Sequence, residues 1–519
     1  MVKKFRYEMD YPLVDTTCGI VHGYEYDDVI YFKGIPYARA ERFEDPKAVT
    51  WDGVLEATAY GYACPTIEEP SLDNSLDFAR RQELKDEACQ NLNIWTPGLD
   101  DEKRPVLVWL HGGGMSFGSS SEDGLCEGDN MCRYGKVVVV SLNHRLNLLG
   151  FCDLSDFGEK YKNSGNQGLV DIVFALRWIK DNISKFGGNP DNVMLFGQSG
   201  GGMKVTALLQ TPEADGLYHK GLIMSGVQGG AMCDCTGSGK KMGEILMEET
   251  GCSSIEELAK APVKEFLRAG KIVRKKLKFL GYNAGEMPFY SNYYKGDPLI
   301  HPFRSETAHI PLLVGSTFGE FNAPFSYGIS KHKMTDREME DMIKDTLGED
   351  LYSRAALLFK EAYPERPLVD LLSMDYMFRS YIRSYMKRRT KLNGCTWEYI
   401  FNLDMPMLGG VSPLHGNDLG FVFNTTDRAP ALQEPGVTEK VQKEIFDTVM
   451  AFAKTGNPNN GSIPKWDPSK PEDFKTLVFG RETTIRNNFD ARLNDCMAGE
   501  LLDKQVKFMY DSVSGRAGD

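Results

Sequence analysis

Short apolar runs separated by glycines and polar stretches recur along the chain and set its class of fold. Val106 to Leu110, entered through Pro105, and Val137 to Leu142 are mostly apolar over strand length, the composition of strands buried on both faces of a mostly parallel sheet. Between Gly165 and Gly187 the residues Leu169, Val173, Leu176, Ile179 and Ile183 recur every three or four positions, which predicts an amphipathic helix. It feeds a strand at 193–196, a glycine turn, and a helix from Met203 to Gln210 closed by Thr211-Pro212. Strand, helix, strand, turn, helix is the order of βαβ units, so the pattern predicts an α/β fold with a large, mostly parallel central sheet flanked by helices. Further strands are expected at 221–224, 310–314 and 397–401, and short alternating runs over 13–35 predict an antiparallel entry to the sheet. The stretches of about 230–300 and 330–390 are helical in pattern and rich in Lys, Glu and Met. They are expected as insertions over one face of the sheet, leaving residues 1–511 as a single domain and 512–519 as a polar tail.

Composition narrows the function. A chain of 519 residues with 41% hydrophobic content can bury a large core. Its net charge of -13 argues against nucleic acid or an anionic membrane surface as the main partner. No apolar run approaches the roughly 20 residues that a membrane helix needs. The opening Met-Val-Lys-Lys-Phe-Arg-Tyr-Glu-Met-Asp has basic residues without an apolar h-region behind them, so no signal peptide and a cytoplasmic location are expected. Eleven cysteines are too few for a disulfide scaffold. Cys64 with Cys89, and Cys233 or Cys235 with Cys252, are the pairs available in an oxidising compartment; reduced thiols are the expectation. Cys233-Asp234-Cys235 has no histidine pattern beside it, so no metal is expected, and nothing calls for a cofactor. Sequons at Asn182, Asn424 and Asn460 are near chance for the length. The basic runs Arg274-Lys275-Lys276 and Lys387-Arg388-Arg389 are read as solvated helix faces.

Against that frame two copies of G-x-S-x-G stand out, one around Ser116 and one around Ser199, where chance supplies about 0.3 copies. Loop composition follows Ser116, from Gly118 to Gly124. Only Ser199 has a strand before it and a helix after it, the layout of a nucleophile elbow. A serine needs a base, an orienting acid and an oxyanion hole. His111-Gly112-Gly113-Gly114, directly after the strand ending at Leu110, offers the amides of Gly113 and Gly114, with that of Gly200 after the nucleophile. In this architecture the acid and then the histidine follow the serine. His219, His301 and His309 precede the candidate acid, and His332 lies among lysines, which leaves His415 in the glycine-bounded loop 409–416 as the base. Glu320, just past the strand at 310–314, is the expected acid, with Asp404 and Asp418 in reserve. Met115, Phe318 and Phe321 are substrate-pocket candidates by position. An imidazole base predicts activity that falls as pH drops below about 6.

With these residues assembled, the chain resembles the type-B carboxylesterases of the cholinesterase and carboxylesterase superfamily, which have the α/β-hydrolase fold. Phe32-Lys33-Gly34-Ile35-Pro36-Tyr37-Ala38, Glu87-Ala88-Cys89 through Trp95, Asn143-His144-Arg145, Gly165 to Leu169, Phe186 to Pro190 and His415-Gly416 carry the resemblance. It implies Ser199 as nucleophile, Glu320 as acid, His415 as base and Gly113, Gly114 and Gly200 as oxyanion donors, with helical insertions over the active-site face. It also implies that Cys64 and Cys89 match a disulfide pair of secreted relatives, and that Arg42 pairs with Glu87. The family's G-E-S-A-G is Gly-Gln-Ser-Gly-Gly in this chain, so Gln198 removes a charge that attracts cationic substrates. Between Cys64 and Cys89 the only aromatic is Phe78, where cholinesterases carry a choline-binding tryptophan. No endoplasmic reticulum retention tetrapeptide ends the chain, which points to similarity with microbial intracellular esterases. The resulting expectation is a serine hydrolase that cleaves small-molecule carboxylic esters through an acyl-enzyme. A catalytically inactive binding or adhesion protein is the alternative from another class, and amidases, thioesterases and lipases share the same machinery.

Overall fold

The computed structural model describes residues 3–66, 81–227, 238–280, 282–285, 287–322, 330–392 and 395–513. Phe78, the Cys233-Asp234-Cys235 sequence and the tail from 514 onward lie outside the described residues. Two compact units divide the chain: Met1–Ile310 with Ala453–Gly456, and Pro311–Phe452 with Asn457–Asp519.

The strands of the first unit are β1 (Phe5–Arg6), β2 (Leu13–Asp15), β3 (Ile20–His22), β4 (Tyr24–Tyr26), β5 (Val29–Pro36), β6 (Val54–Glu56), β7 (Asn91–Thr96), β8 (Arg104–Leu110), β9 (Val138–Leu142), β10 (Gly188–Gln198) and β11 (Lys220–Met224). They form a small sheet ordered β2-β3-β6 and a large one ordered β1-β4-β5-β7-β9-β8-β10-β11. The pairs from β1 to β9 are antiparallel, and that of β4 with β5 lies in the stretch where the alternating pattern predicts an antiparallel entry. The pairs β9-β8, β8-β10 and β10-β11 are parallel. Val106 to Leu110 and all of β9 are buried, which explains why these strands are apolar without alternation. The strand expected at 193–196 begins at Gly188, with a register shift between Gly188 and Val193. Pro190 lies inside that shift and has no N–H to give a ladder, so the polar half of the strand is irregular.

The helix Gln167–Asn182 buries Leu169, Val173, Leu176 and Ile179 of the periodic face read from sequence, and Ile183 is buried in the turn that follows it. It also buries Asp171, whose carboxylate takes three bonds from Arg145: the main-chain N at 3.0 Å, Nε at 2.9 Å and Nη2 at 2.6 Å. Nη2 also donates to Gln167 Oε1, and Nη1 donates to Glu41 O and Glu44 O. Three helices, Lys241–Thr250, Ile255–Lys260 and Val263–Phe279, fill part of the stretch expected to be helical. Their Met242, Leu246, Leu258 and Phe266 pack with Phe43, Leu146 and Leu148 in one buried cluster.

The second unit contains β12 (Leu312–Thr317), β13 (Thr396–Phe401), β14 (Lys475–Phe479) and β15 (Thr484–Asn487). The first three pair in parallel and β15 closes that sheet antiparallel to β14. β12 starts two residues later than the pattern predicts because Pro311 cannot donate to a neighbouring strand. Helices Asp336–Leu347, Glu349–Ala362 and Met377–Leu392 fall where the pattern predicts a helical insertion. In the last of these Lys387 and Arg388 are exposed, but Arg389 is fully buried, so that basic run is not a wholly solvated face. The C-terminal helix, Ala491–Val513, runs through Ser512, one residue beyond the expected start of the tail. The pattern does not predict β7, β14, β15 or that helix. Among the described residues no helix is long and apolar enough to cross a membrane.

Arg145 and Asp171 are both buried, so removing one partner leaves an uncompensated charge in the interior. Asp171→Asn is expected to lower stability by about 3–5 kcal/mol, read from chemical denaturation. A loss below about 1 kcal/mol, the scale of an exposed pair, would mean that water reaches the guanidinium.

Candidate active site

Ser199 sits between β10 and the helix Gly200–Leu209 with φ 57° and ψ -126°, a conformation that residues with a side chain rarely adopt. The surroundings hold it there. Its N–H donates to Met224 O at the end of β11 (2.8 Å), and its carbonyl accepts from Met203 N (3.0 Å). The turn is tight enough that a Cβ on Gly197 would stand 2.3 Å from the carbonyl carbon of Gly201, so no larger residue fits at 197. Ser199 itself is partly exposed. The second serine, Ser116, lies in a turn where Ser116 N and Phe117 N both donate to Gly113 O at 3.1 Å, with no helix after it.

That same turn belongs to the loop leaving β8. Gly113 and Gly114 have φ of 83° and 60°. A Cβ on Gly112 would lie 3.7 Å from Ser199 Cβ, and one on Gly200 would collide with Gly114 O and N at 2.2 and 2.3 Å. The loop therefore lies directly on the Ser199 turn, backbone against backbone. Met115 is buried, its carbonyl accepting from Asn147 N at 2.7 Å. Gln198, the residue before Ser199, is buried.

In the second unit Glu320 follows β12 with φ 46°. Its carboxylate accepts from Thr317 N at 2.6 Å, and its own N–H donates to Thr317 Oγ1 at 3.0 Å. Oε2 of Glu320 is in hydrogen-bond contact with Nδ1 of His415. The two loops are also joined by main chain, His415 N to Glu320 O at 3.1 Å and Gly319 N to Pro413 O at 3.0 Å. Glu320 is fully buried and the His415 side chain is 14% exposed. Phe321 stacks on the imidazole with centroids 4.2 Å apart, and Phe378 lies at 5.4 Å. Phe318, in contrast, is in the core, edge-on to Tyr363 and beneath the Arg366 guanidinium. Of the reserve acids, Asp404 pairs with Lys331 at 2.8 Å and Arg366 at 2.9 Å. Asp418 accepts from Tyr399 OH at 2.8 Å, and burial pushes its carboxyl up to about 6 despite that bond.

Sequence reasoning missed Asp375 and Phe378. Asp375 accepts from the N–H groups of Met377, Phe378 and Arg379 at the start of helix Met377–Leu392. Burial, with the Glu320 charge added, pushes it up to about 8. Its signal was an aspartate two residues before a helical pattern, a capping preference. The histidines set aside have structural places: His219 Nδ1 accepts from Val193 N at 3.1 Å and His301 stacks on Tyr290. Arg42 does pair with Glu87, through Nε at 2.8 Å and Nη2 at 2.5 Å. Cys64 and Cys89 are buried thiols in contact with each other.

The profile of the Carboxylesterase family matches residues 10–497. Para-nitrobenzyl esterase of Bacillus subtilis (strain 168) is 32% identical over 500 residues, covering 92% of this chain and 97% of that one. Phenmedipham hydrolase of Pseudarthrobacter oxydans is 30% identical over 491 residues, covering 91% and 95%. Among solved structures, an esterase from Clostridium hathewayi described as able to hydrolyze aliphatic aromatic polyesters superposes with a TM-score of 0.92. It is 38% identical, over 95% of this chain and 99% of that one. The sheet, the helices and these matches have one reading: the chain belongs to the carboxylesterase family, type-B ester hydrolases of the α/β-hydrolase fold.

Proposed function

We propose that the enzyme cleaves carboxylic esters through an acyl-enzyme on Ser199, with His415 as base, Glu320 as its orienting acid, and the amides of Gly113, Gly114 and Gly200 as the oxyanion hole. The observation that carries the reading is the contact between His415 Nδ1 and a fully buried carboxylate. A carboxylate there accepts the Nδ1 proton, so Nε2 is left as the basic nitrogen. His415 takes the Ser199 proton as Oγ attacks the ester carbonyl. The tetrahedral oxyanion is held by the glycine amides, and His415 then protonates the leaving alcohol. Water deacylates the enzyme by the same route. Residues 1–511 work as one catalytic domain in this scheme.

For substrate, Phe321 forms an apolar wall beside the base, Met115 shapes the loop that carries the oxyanion donors, and Phe318 supports the Glu320 loop from beneath. With Gln198 neutral, the site favours uncharged small-molecule esters over cationic ones. The polyester activity of the Clostridium hathewayi esterase makes oligomers of aliphatic aromatic esters a class to screen beside short-chain chromogenic esters. Net charge of -13 and thiols at Cys64 and Cys89 fit a cytoplasmic enzyme that does not act on nucleic acid or at a membrane.

Ser199→Ala is expected to abolish turnover of a short-chain ester and labelling by a fluorophosphonate probe, while Ser116→Ala keeps both. The reverse pattern sinks the assignment, and a wild-type chain that takes up no probe is a binding protein. Glu320→Gln is expected to lower kcat by about 10^3 to 10^4 with KM little changed, because the imidazole loses its tautomer. Activity within tenfold of wild type would move the acid to Asp418 or Asp404.

A further inference from the structure

The helix after the nucleophile carries a lysine where its buried face calls for an apolar residue. Lys204 is 0% exposed among Val205, Leu208 and Leu209, which are also buried. Its Nζ donates to the main-chain oxygen of His111 at 2.9 Å, the residue immediately before Gly112-Gly113-Gly114. Among the described residues no carboxylate forms an ion pair with it, and an uncompensated interior ammonium is costly. Burial accordingly pushes Lys204 down to about 7, with the Glu122 charge opposing.

The groups around it are neutral or fixed. His111 and His144 stack at 5.2 Å and are both buried. Each ring commits Nδ1 to a main-chain carbonyl, of Gly112 at 2.9 Å and of Arg145 at 2.8 Å. Burial first, and then the Lys204 charge, hold both imidazoles well below the ordinary histidine range. Arg145 is committed to Asp171. Lys204 is thus the group in this cluster that changes charge near neutrality. The helix meets the β8 end without side chains between them: a Cβ on Gly201 would stand 1.9 Å from Leu110 O and 3.1 Å from His111 O. Backbone contact sets the distance between helix and loop, and Lys204 adds a polar tether from the helix to the His111 peptide.

We propose that Lys204 is a positioning residue of the oxyanion hole: its ammonium clamps the His111 carbonyl, fixes the peptide that aims the Gly113 and Gly114 amides, and while protonated places a positive charge behind them. This rests on those amides receiving the oxyanion, as in the function proposed for the site. Lys204 touches no reacting atom and acts through the loop. When it loses its proton the clamp weakens to a neutral hydrogen bond and the charge is gone, so the rate drops on the alkaline side.

The test is the pH dependence of kcat and KM for a short-chain chromogenic ester, from pH 5.5 to 9.5, in wild type, Lys204→Met and Lys204→Gln. Wild type is expected to give a bell with its alkaline limb beginning near the Lys204 value of about 7. In both variants the alkaline limb is lost and the acid limb kept. At pH 7 kcat is expected to fall about tenfold with KM within about twofold, a fraction of what deleting an oxyanion donor does. A wild-type profile flat from pH 7 to 9, or a variant that keeps the alkaline limb, overturns the proposal. The wild-type profile decides even if neither variant folds. Phosphonylation of Ser199 separates the two readings: if wild type is labelled there and the variants label at the same rate, Lys204 fails while the triad stands. If wild type is not labelled at Ser199, the triad reading itself fails.

Discussion

Backbone touching backbone at the Ser199 turn is the constraint on which the candidate site depends. β10 ends at Gln198, and within one residue the chain reverses into the helix Gly200–Leu209. That reversal holds Ser199 at a positive φ and brings Gly197 against Gly201 and Gly200 against Gly114 at distances that leave no room for a Cβ. A side chain at these glycines would push the helix off β8 and carry the loop Gly112-Gly113-Gly114 away from the serine. The strain at Ser199 persists because its neighbours over-determine it: a hydrogen bond to Met224 O on one side and helix packing on the other.

Buried charge is the second organising element. Arg145 with Asp171 ties the loop after β9 to the helix that crosses over to β10. In the second unit Arg379 reaches both Asp490 and Glu398, neither of them exposed. Such pairs add little net stability over an apolar core, yet each leaves a costly orphan if either member is lost, so they fix one arrangement of elements against others. Lys204 departs from this rule. It is a buried cation satisfied by the carbonyl of His111, the residue that opens the glycine loop after β8.

Around Glu320 the second unit arranges acids in graded environments. Glu320 is bonded to Thr317 N and in contact with His415. Asp375 and Asp418 accept from neutral donors, main-chain amides and the Tyr399 hydroxyl, and burial moves both upward, toward neutral carboxylic acids. Asp404 lies between Lys331 and Arg366 and is held below its ordinary range, burial notwithstanding. Environment therefore moves three carboxyls of one chemistry in different directions, Asp375 and Asp418 upward and Asp404 downward.

Much of this was legible in the chain. Apolar runs at β8 and β9, the periodic face of Gln167–Asn182 and the glycine turn at Ser199 are local signals, set by burial on both faces, by helical spacing and by the size of hydrogen. Motif spacing likewise singled out Ser199, Glu320 and His415 as candidates, and the last two are in hydrogen-bond contact. Where the reading slipped, tertiary context overrode local pattern: Pro311 delayed β12, Pro190 disturbed the start of β10, and Arg389 turned inward on a helix whose neighbours are solvated. Phe318 and Phe321 are three residues apart and equally apolar, but one is core and the other stacks on the imidazole, because only packing decides which way each faces. The sequence by itself determined the fold class and the chemistry of the candidate residues. The tertiary structure decided what the long-range contacts are, placing Lys204 on a carbonyl, Asp375 beside Glu320 and Phe378 near His415, since no periodicity records a partner that lies many residues away.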